Sequence, residues 1–206
     1  PNELILFLSW VSKYSLISLG NTLNMTLGTL ASFKEVKKPR KNEEIIFINP
    51  PYNINTLNDK QEEAFNFLYK KLDSGYSTTL LEGITGSGKT EVYFHLIAKI
   101  LEKEEGQILL LLPEISLTAQ LLERFKSQFG FYPAVWHSQI TTAKKRNLWK
   151  NIREGNSRVI IGARSALFLP YNKLSLIIVD EEHDSSFKQT ENGVYNARDM
   201  AIVRAN

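Results

Sequence analysis

Cysteine is absent from the 206-residue sequence, which excludes disulfide bridges and thiolate-bound metal within it and suits a reducing, cytoplasmic setting. The three histidines, His95, His137 and His183, are not spaced as a zinc site. Long apolar runs are missing as well. The stretch Leu4 to Leu8 is too short to cross a bilayer and lacks the basic flank and small-residue cleavage site of a signal peptide, so no membrane partner is expected. No internal repeat or low-complexity tract is visible. Charge is scarce in net terms: +3, with a pI near 9.0, is only a mild pointer to an anionic partner. Its distribution is uneven, with Lys34, Lys37, Lys38, Arg40 and Lys41 in one cluster and Lys144, Lys145, Arg146, Lys150 and Arg153 in another. Each cluster suits either a solvated surface or contact with nucleic acid. Residue 1 is proline rather than methionine, so the chain is expected to be a piece of a longer protein.

What is present is more specific. Gly83-Ile84-Thr85-Gly86-Ser87-Gly88-Lys89-Thr90 is a full G-x-x-x-x-G-K-[ST] phosphate-binding loop. Its glycines let backbone N–H groups close around phosphate oxygens, Lys89 places a cation on the β/γ-phosphates, and the Thr90 hydroxyl is a ligand for Mg²⁺. A helix starting at Lys89 adds the positive end of its dipole to the same anion. The context fits, because Ser77 to Leu81 reads as a β-branched, apolar strand before the loop, and Val92, Phe94, Leu96, Ile97, Ile100 and Leu101 recur at helical spacing after it.

The rest of the chain alternates. Apolar residues from Glu3 to Leu19 follow a helical period that Gly20 is expected to stop, and a weaker helical pattern runs through Leu23, Met25, Leu27 and Leu30. The basic segment from Lys34 reads as a linker and Glu44 to Ile48 as an edge strand. Asn58 or Asp59 can cap a helix through Ala64, Phe65, Leu68 and Leu72 that Gly75 closes. Strands at Gln107–Leu112, Ala134–Trp136, Arg158–Ile161 and Leu176–Val179 are interleaved with helices at Leu117–Phe129 and Thr141–Ile152. These near-continuous apolar strands predict an α/β fold of the P-loop NTPase (RecA-like) class, an open, mostly parallel sheet with helices on both faces. A small helical segment and linker, residues 1–42, should precede the main lobe, residues 43–206. In such sheets ligands gather at the carboxyl ends of the strands. That places Asp180, which leaves the run Leu176 to Val179, beside the phosphate loop, where it can hold Mg²⁺ directly or through water. Glu181 is the natural residue to orient or deprotonate an attacking water.

Longer words in the sequence carry a family resemblance. Gly83 to Tyr93, Leu112-Pro113-Glu114-Ile115-Ser116-Leu117-Thr118, Ile161 to Phe168, and Asp180-Glu181-Glu182-His183 running on through Phe187-Lys188-Gln189 to Tyr195-Asn196-Ala197-Arg198-Asp199 together resemble the PriA family of bacterial primosomal DNA helicases, which are superfamily 2 motors with a DEEH box. The likeness begins near Leu57 and runs to the end of the chain. The opening helix also resembles that family's entry to its winged-helix region.

The resemblance implies an ATP- and Mg²⁺-dependent 3′–5′ DNA helicase, of which this chain is the first motor lobe, acting in replication restart on single-stranded and forked DNA with single-stranded DNA-binding protein and primosome proteins as partners. It assigns adenine reading to Gln61 and extends the nucleotide contacts through Glu91. Contacts with the nucleic-acid backbone fall to Pro113, Glu114, Thr118, Gly162, Arg164 and Ser165, although Arg164 could instead brace the acidic box from within. The segment after His183, with Phe187, Lys188, Tyr195 and Arg198, would sense DNA by stacking, or its aromatics would merely fasten a connection. His183 would relay that signal or serve structure alone.

The family's second lobe, with its arginine finger and its zinc module, and its fork-end-binding domain are not represented in these residues. The isolated piece is therefore expected to bind nucleotide weakly and turn it over slowly, since a missing finger costs on the order of a thousandfold or more. Two other readings stay open: a kinase-like phosphotransferase built on the same loop, and a DNA- or partner-binding fragment without turnover.

Overall fold

The computed structural model describes residues 1–27, 50–72, 74–84, 86–103, 106–190 and 193–206. The predicted basic linker and the edge strand at Glu44 to Ile48, with the expected boundary at 42/43, lie outside the described residues.

The two helical patterns at the start form two helices, but the boundary between them falls earlier than Gly20. Helix α1, Asn2–Tyr14, ends where Ser15 and Ile17 turn their N–H groups back to the carbonyls of Val11 and Ser12, with the Ser12 hydroxyl bonding Ile17 O at 2.7 Å. Leu16, at φ 54°, takes the left-handed conformation this turn needs. Gly20 stops nothing; it sits inside the first turn of helix α2, Leu19–Leu27, where the Ser18 hydroxyl accepts the Asn21 N–H. In α2 the threonines Thr22 and Thr26 face inward while Leu23 and Leu27 are exposed. Its leucine spacing therefore misstates the buried face.

Helix α3, Asp59–Leu72, begins with a reciprocal cap. The Asn58 side chain accepts the Gln61 N–H at 3.1 Å and the Gln61 side chain accepts the Asn58 N–H at 2.9 Å. Gly75, at φ 84°, follows it as expected. The strand expected at Ser77 to Leu81 does not form: Ser77 to Leu80 are exposed, Leu81 is half-buried, and none of them pairs in the sheet. β-branched composition marks fit to a pleated, half-buried surface, and without a ladder partner it makes no strand.

After the loop comes α4, Lys89–Glu102, then strand β1, Gln107–Leu111, helix α5, Ala119–Phe129, strand β2, Ala134–Trp136, helix α6, Thr142–Arg153, and strands β3, Val159–Gly162, and β4, Leu174–Val179. The sheet order is β2-β3-β1-β4 with every pairing parallel, so the fold is the expected open α/β sheet. Beyond it lie elements that periodicity did not predict, a short hairpin of β5, Lys188–Gln189, and β6, Tyr195–Asn196, and helix α7, Ala197–Ala205.

Alternation along each strand divides the core in two. Ile108, Leu110, Val159 and Ile161 face α4 and α5, where Phe125 stacks on Phe129 at 4.2 Å and both meet Phe94 edge-on. Leu109, Leu111 and Ile160 face the opposite way, into a cluster shared by Leu4, Phe7, Leu8 and Val11 of α1, Ile152 of α6, and Met200 and Ala201 of α7. The opening helix thus packs into the lobe's own core. Arg204 of α7 lies over the Phe7 ring at 5.1 Å.

Register aligns the exits of the strands. Leu111 is level with Gly162 on one side and Val179 on the other. At Gly162 an added Cβ would stand 2.7 Å from the Trp136 carbonyl oxygen and 2.7 Å from the Ala166 methyl, so only glycine fits there. Gly162→Ala is expected to destabilise the fold by about 1–3 kcal/mol through that overpacking. A lowered urea midpoint with an unchanged slope is the expected reading, and an unchanged midpoint would show that the β2–β3 exit has slack the packing does not suggest.

Candidate nucleotide-binding site

The glycine loop and the start of α4 lie at the carboxyl rim of the sheet. Gly86 and Gly88 both sit at φ 80°, the left-handed conformation that brings the chain around into α4. The Lys89 ammonium donates to the carbonyls of Gly83 at 2.7 Å and Ile84 at 3.4 Å, and so lies over the mouth of the loop. Gln61 reaches the same loop, its amide N–H₂ donating to Ser87 O at 3.0 Å, and any Cβ at Gly88 would collide with it. Gly83 is tight as well, since a Cβ there would stand 2.6 Å from the Ser87 hydroxyl. Thr85 lies outside the described residues. Glu91, in the first turn of α4, is paired with Arg124 of α5 and lies 3.5 Å from the Asn55 amide. Burial alone would raise the Glu91 pKa, but the hydrogen bond and charge of Arg124 outweigh it and hold the carboxyl below its ordinary value.

The acidic box arrives from the other side. Asp180 continues the β4 ladder, its N–H bonding Leu111 O at 3.0 Å, and its side chain points at α4. The Tyr93 hydroxyl donates to Asp180 Oδ2 at 2.9 Å. Tyr93 is four residues beyond Lys89, roughly 6 Å along the axis and close to one turn. Burial first, then the Asp180 charge, pushes the phenol far above its ordinary pKa, so it remains a donor. Asp180 Oδ1 accepts the Glu181 N–H at 3.0 Å. Glu181 takes φ 52°, a strained choice for a non-glycine residue, in a turn closed by Asp184 N–H to Glu181 O at 2.8 Å; its carboxylate is exposed and 3.6 Å from His183 Nε2. The donor set suits a hard cation. Thr90 and Asp180 offer one hydroxyl and one carboxylate, the small protein contribution that Mg²⁺ takes when phosphates and water complete its octahedron. Among the described residues no group of three or more metal-ligating side chains occurs.

Several of the remaining predicted residues have internal partners. Pro113 leads the 3-10 turn Glu114–Ser116, the Glu114 carboxylate accepts the Ser138 N–H, and Thr118 caps α5 by accepting the Leu121 N–H. Ser165 accepts the Trp136 indole N–H at 3.2 Å. Arg164 donates to the carbonyls of Ser186 and Lys188 at 3.1 and 2.9 Å, which is the bracing alternative, directed at the segment just past the box. Arg198 bonds Glu182 at 2.9 Å, fastening the start of α7 to the box. Two expectations need correction. Phe187 and Tyr195 are 1% and 4% exposed and belong to the core with Phe168 and Met200, so as folded their faces are closed to a base and they fasten the segment instead. Lys188 and His183 stay exposed. In the basic helix α6, Lys145 bonds Ser138 O and Lys150 lies 3.9 Å from Glu154, in keeping with a solvated face.

Tyr93 and Arg124 were not anticipated. The signal for Tyr93 was in reach, since four residues after Lys89 is the same face of the helix. Arg124 has no local signal, because its partner Glu91 is 33 positions away.

A parallel α/β sheet whose rim holds a complete phosphate loop against an acidic box defines a P-loop nucleotide-binding lobe. The model of the family described as "Type III restriction enzyme, res subunit" matches residues 54–203, and the chain belongs to that family. It is similar to proteins named "Replication restart protein PriA", 41% identical over 98% of this chain and 30% of the Rickettsia typhi protein, 47% over 72% and 18% for Bacillus subtilis, and 48% over 73% and 20% for Haemophilus influenzae. The chain thus spans less than a third of the length of these relatives. No helix among the described residues is long and apolar enough to cross a membrane.

Because the folded Glu91 carboxyl is held down, the stability it contributes is complete above its ordinary value of 4.5 and is lost as pH falls through the lowered one. Glu91→Gln should flatten the acid limb of a stability-against-pH curve. An acid limb as steep as in the parent would show that Arg124 does not hold the carboxylate. Arg164→Ala should free the carbonyls of Ser186 and Lys188, speeding amide exchange over 185–189 while leaving α4 protected; exchange unaltered there would remove the bracing role.

Proposed function

We propose that the chain is the nucleotide-binding first motor lobe, residues 43–206 with a preceding segment at 1–42, of an ATP-dependent 3′–5′ DNA helicase that restarts stalled replication forks. The observation that carries this is the Tyr93–Asp180 bond, which ties the phosphate-loop helix to the acidic box at one rim. The similarity to replication restart proteins supports the choice of helicase over other P-loop enzymes, as does the run from Gly162 to Phe168, which has no evident task in a kinase.

In this reading the backbone from Gly83 to Gly88 cradles the phosphates and the Lys89 ammonium turns from loop carbonyls to phosphate oxygens. Thr90 and Asp180 hold Mg²⁺, which when bound offsets charge on the β- and γ-phosphates. Glu181, exposed at the rim beside Asp180, orients and deprotonates water. Gln61, sitting over Ser87, reads the adenine edge. Single-stranded DNA passes over the exposed rim groups Glu114, Thr118, Ser165, His183, Lys188 and Arg198. Arg164 and Arg198 hold the segment after the box, so a strand pressing there would move the turn that carries Glu181. Forked DNA, single-stranded DNA-binding protein and primosome proteins are the partners, in the cytoplasm. Any zinc belongs to parts of the longer protein.

The test is ATP hydrolysis by the full natural chain with and without single-stranded DNA. Stimulation by DNA is expected, with Lys89→Ala and Glu181→Gln each lowering kcat by about a hundredfold or more. Turnover indifferent to DNA would favour a phosphotransferase, and none at all a binding fragment.

A further inference from the structure

We propose that Tyr93 is a positioning residue that presets Asp180 for the nucleotide's divalent cation. The proposal rests on the reading of Asp180 as a metal-holding carboxylate and adds a residue to it. Tyr93 is 4% exposed, and its ring is locked by packing edge-on against Phe94 at 5.4 Å in the cluster that also holds Ile97 and Leu110. Only its hydroxyl has a polar task. That hydroxyl bonds Asp180 Oδ2 at 2.9 Å, while the backbone N–H of Glu181 holds Oδ1 at 3.0 Å. Each carboxylate oxygen therefore accepts one protein donor and keeps a further lone pair for another partner. With both oxygens held, the carboxylate cannot swing about its side-chain torsions, and the lone pairs keep a set direction.

Thr90 and Tyr93 both lie near the start of α4, so the bond from Tyr93 brings Asp180 to the part of the helix that carries the other oxygen group that would share the cation. The two come from segments far apart in sequence, a helix start and a strand exit, and the phenol ties the second to the helix that carries the first. Outer partners of this kind typically set metal affinity by tenfold or more without touching the metal.

The measurement is binding of a fluorescent ADP analogue to the full natural chain, titrated once in excess Mg²⁺ and once in EDTA, at a temperature below the thermal midpoint of every variant. Tyr93→Phe keeps the ring and its packing and deletes only the hydroxyl. It is expected to weaken binding in Mg²⁺ by about tenfold and to leave binding in EDTA unchanged. Asp180→Asn should abolish the gain that Mg²⁺ gives, and Tyr93→Phe should then add nothing. Equal weakening with and without the metal would reduce Tyr93 to a packing residue and overturn the proposal. So would full Mg²⁺-dependent affinity in Tyr93→Phe while Asp180→Asn loses it. An intact metal gain in Asp180→Asn would instead overturn the reading of Asp180 itself.

Discussion

One hydrogen bond joins two segments that lie 87 positions apart in the chain, the Tyr93 phenol to the Asp180 carboxylate. Everything functional in the lobe depends on what makes that contact attainable. The parallel register levels Leu111 with Gly162 and Val179, so strand exits share one rim, and Asp180 leaves β4 with its N–H still laddered to Leu111. Helix α4, packed on one face of the same sheet through Phe94 and Ile97, presents its first turn to that rim. The site is a consequence of register and packing, and its polar bonds refine a position that the core has already set.

The two-sided core explains why the opening helix belongs with the lobe. A parallel sheet must be covered on both faces, and α4 and α5 cover only one. The other face is closed by α6, α7 and the buried stripe of α1, with Phe7 beneath the Arg204 guanidinium and 5.6 Å from Phe168. Phe187 and Tyr195 join this cluster, which ties the segment after the acidic box to the same core that α1 completes. Strain at Glu181 is tolerated because both sides of its turn are fastened, at Asp180 by β1 and Tyr93, and beyond Asp184 by Arg164.

Much of this was legible in the residues. The phosphate loop, the strand at Leu176 to Val179 and the acidic exit are local words whose chemistry demands their geometry, and the sheet follows from near-continuous apolar strands between helices. The family likeness assigned adenine reading to Gln61, and in the structure its side chain caps α3 with Asn58 and donates to Ser87 O. The failures share a cause. Ser77 to Leu81 has strand composition but no ladder partner, the leucines of α2 point outward, and Phe187 and Tyr195, for which stacking on DNA and fastening were both open, lie in the core. Each depends on tertiary neighbours that spacing along one chain does not encode. Arg124 was missed for the same reason, as a long-range partner of Glu91.

The central claim is that the glycine loop and the acidic box grip one metal-bound polyphosphate. A crystal structure of the full natural chain with Mg²⁺ and a non-hydrolysable ATP analogue tests it most directly. The account predicts the cation between Thr90 and Asp180, about 2.0–2.1 Å from the threonine oxygen and bonded to the carboxylate directly or through one water, with Lys89 on the β- and γ-phosphates. A triphosphate bound at the loop with its metal remote from Asp180, or bound elsewhere on the lobe, would contradict it.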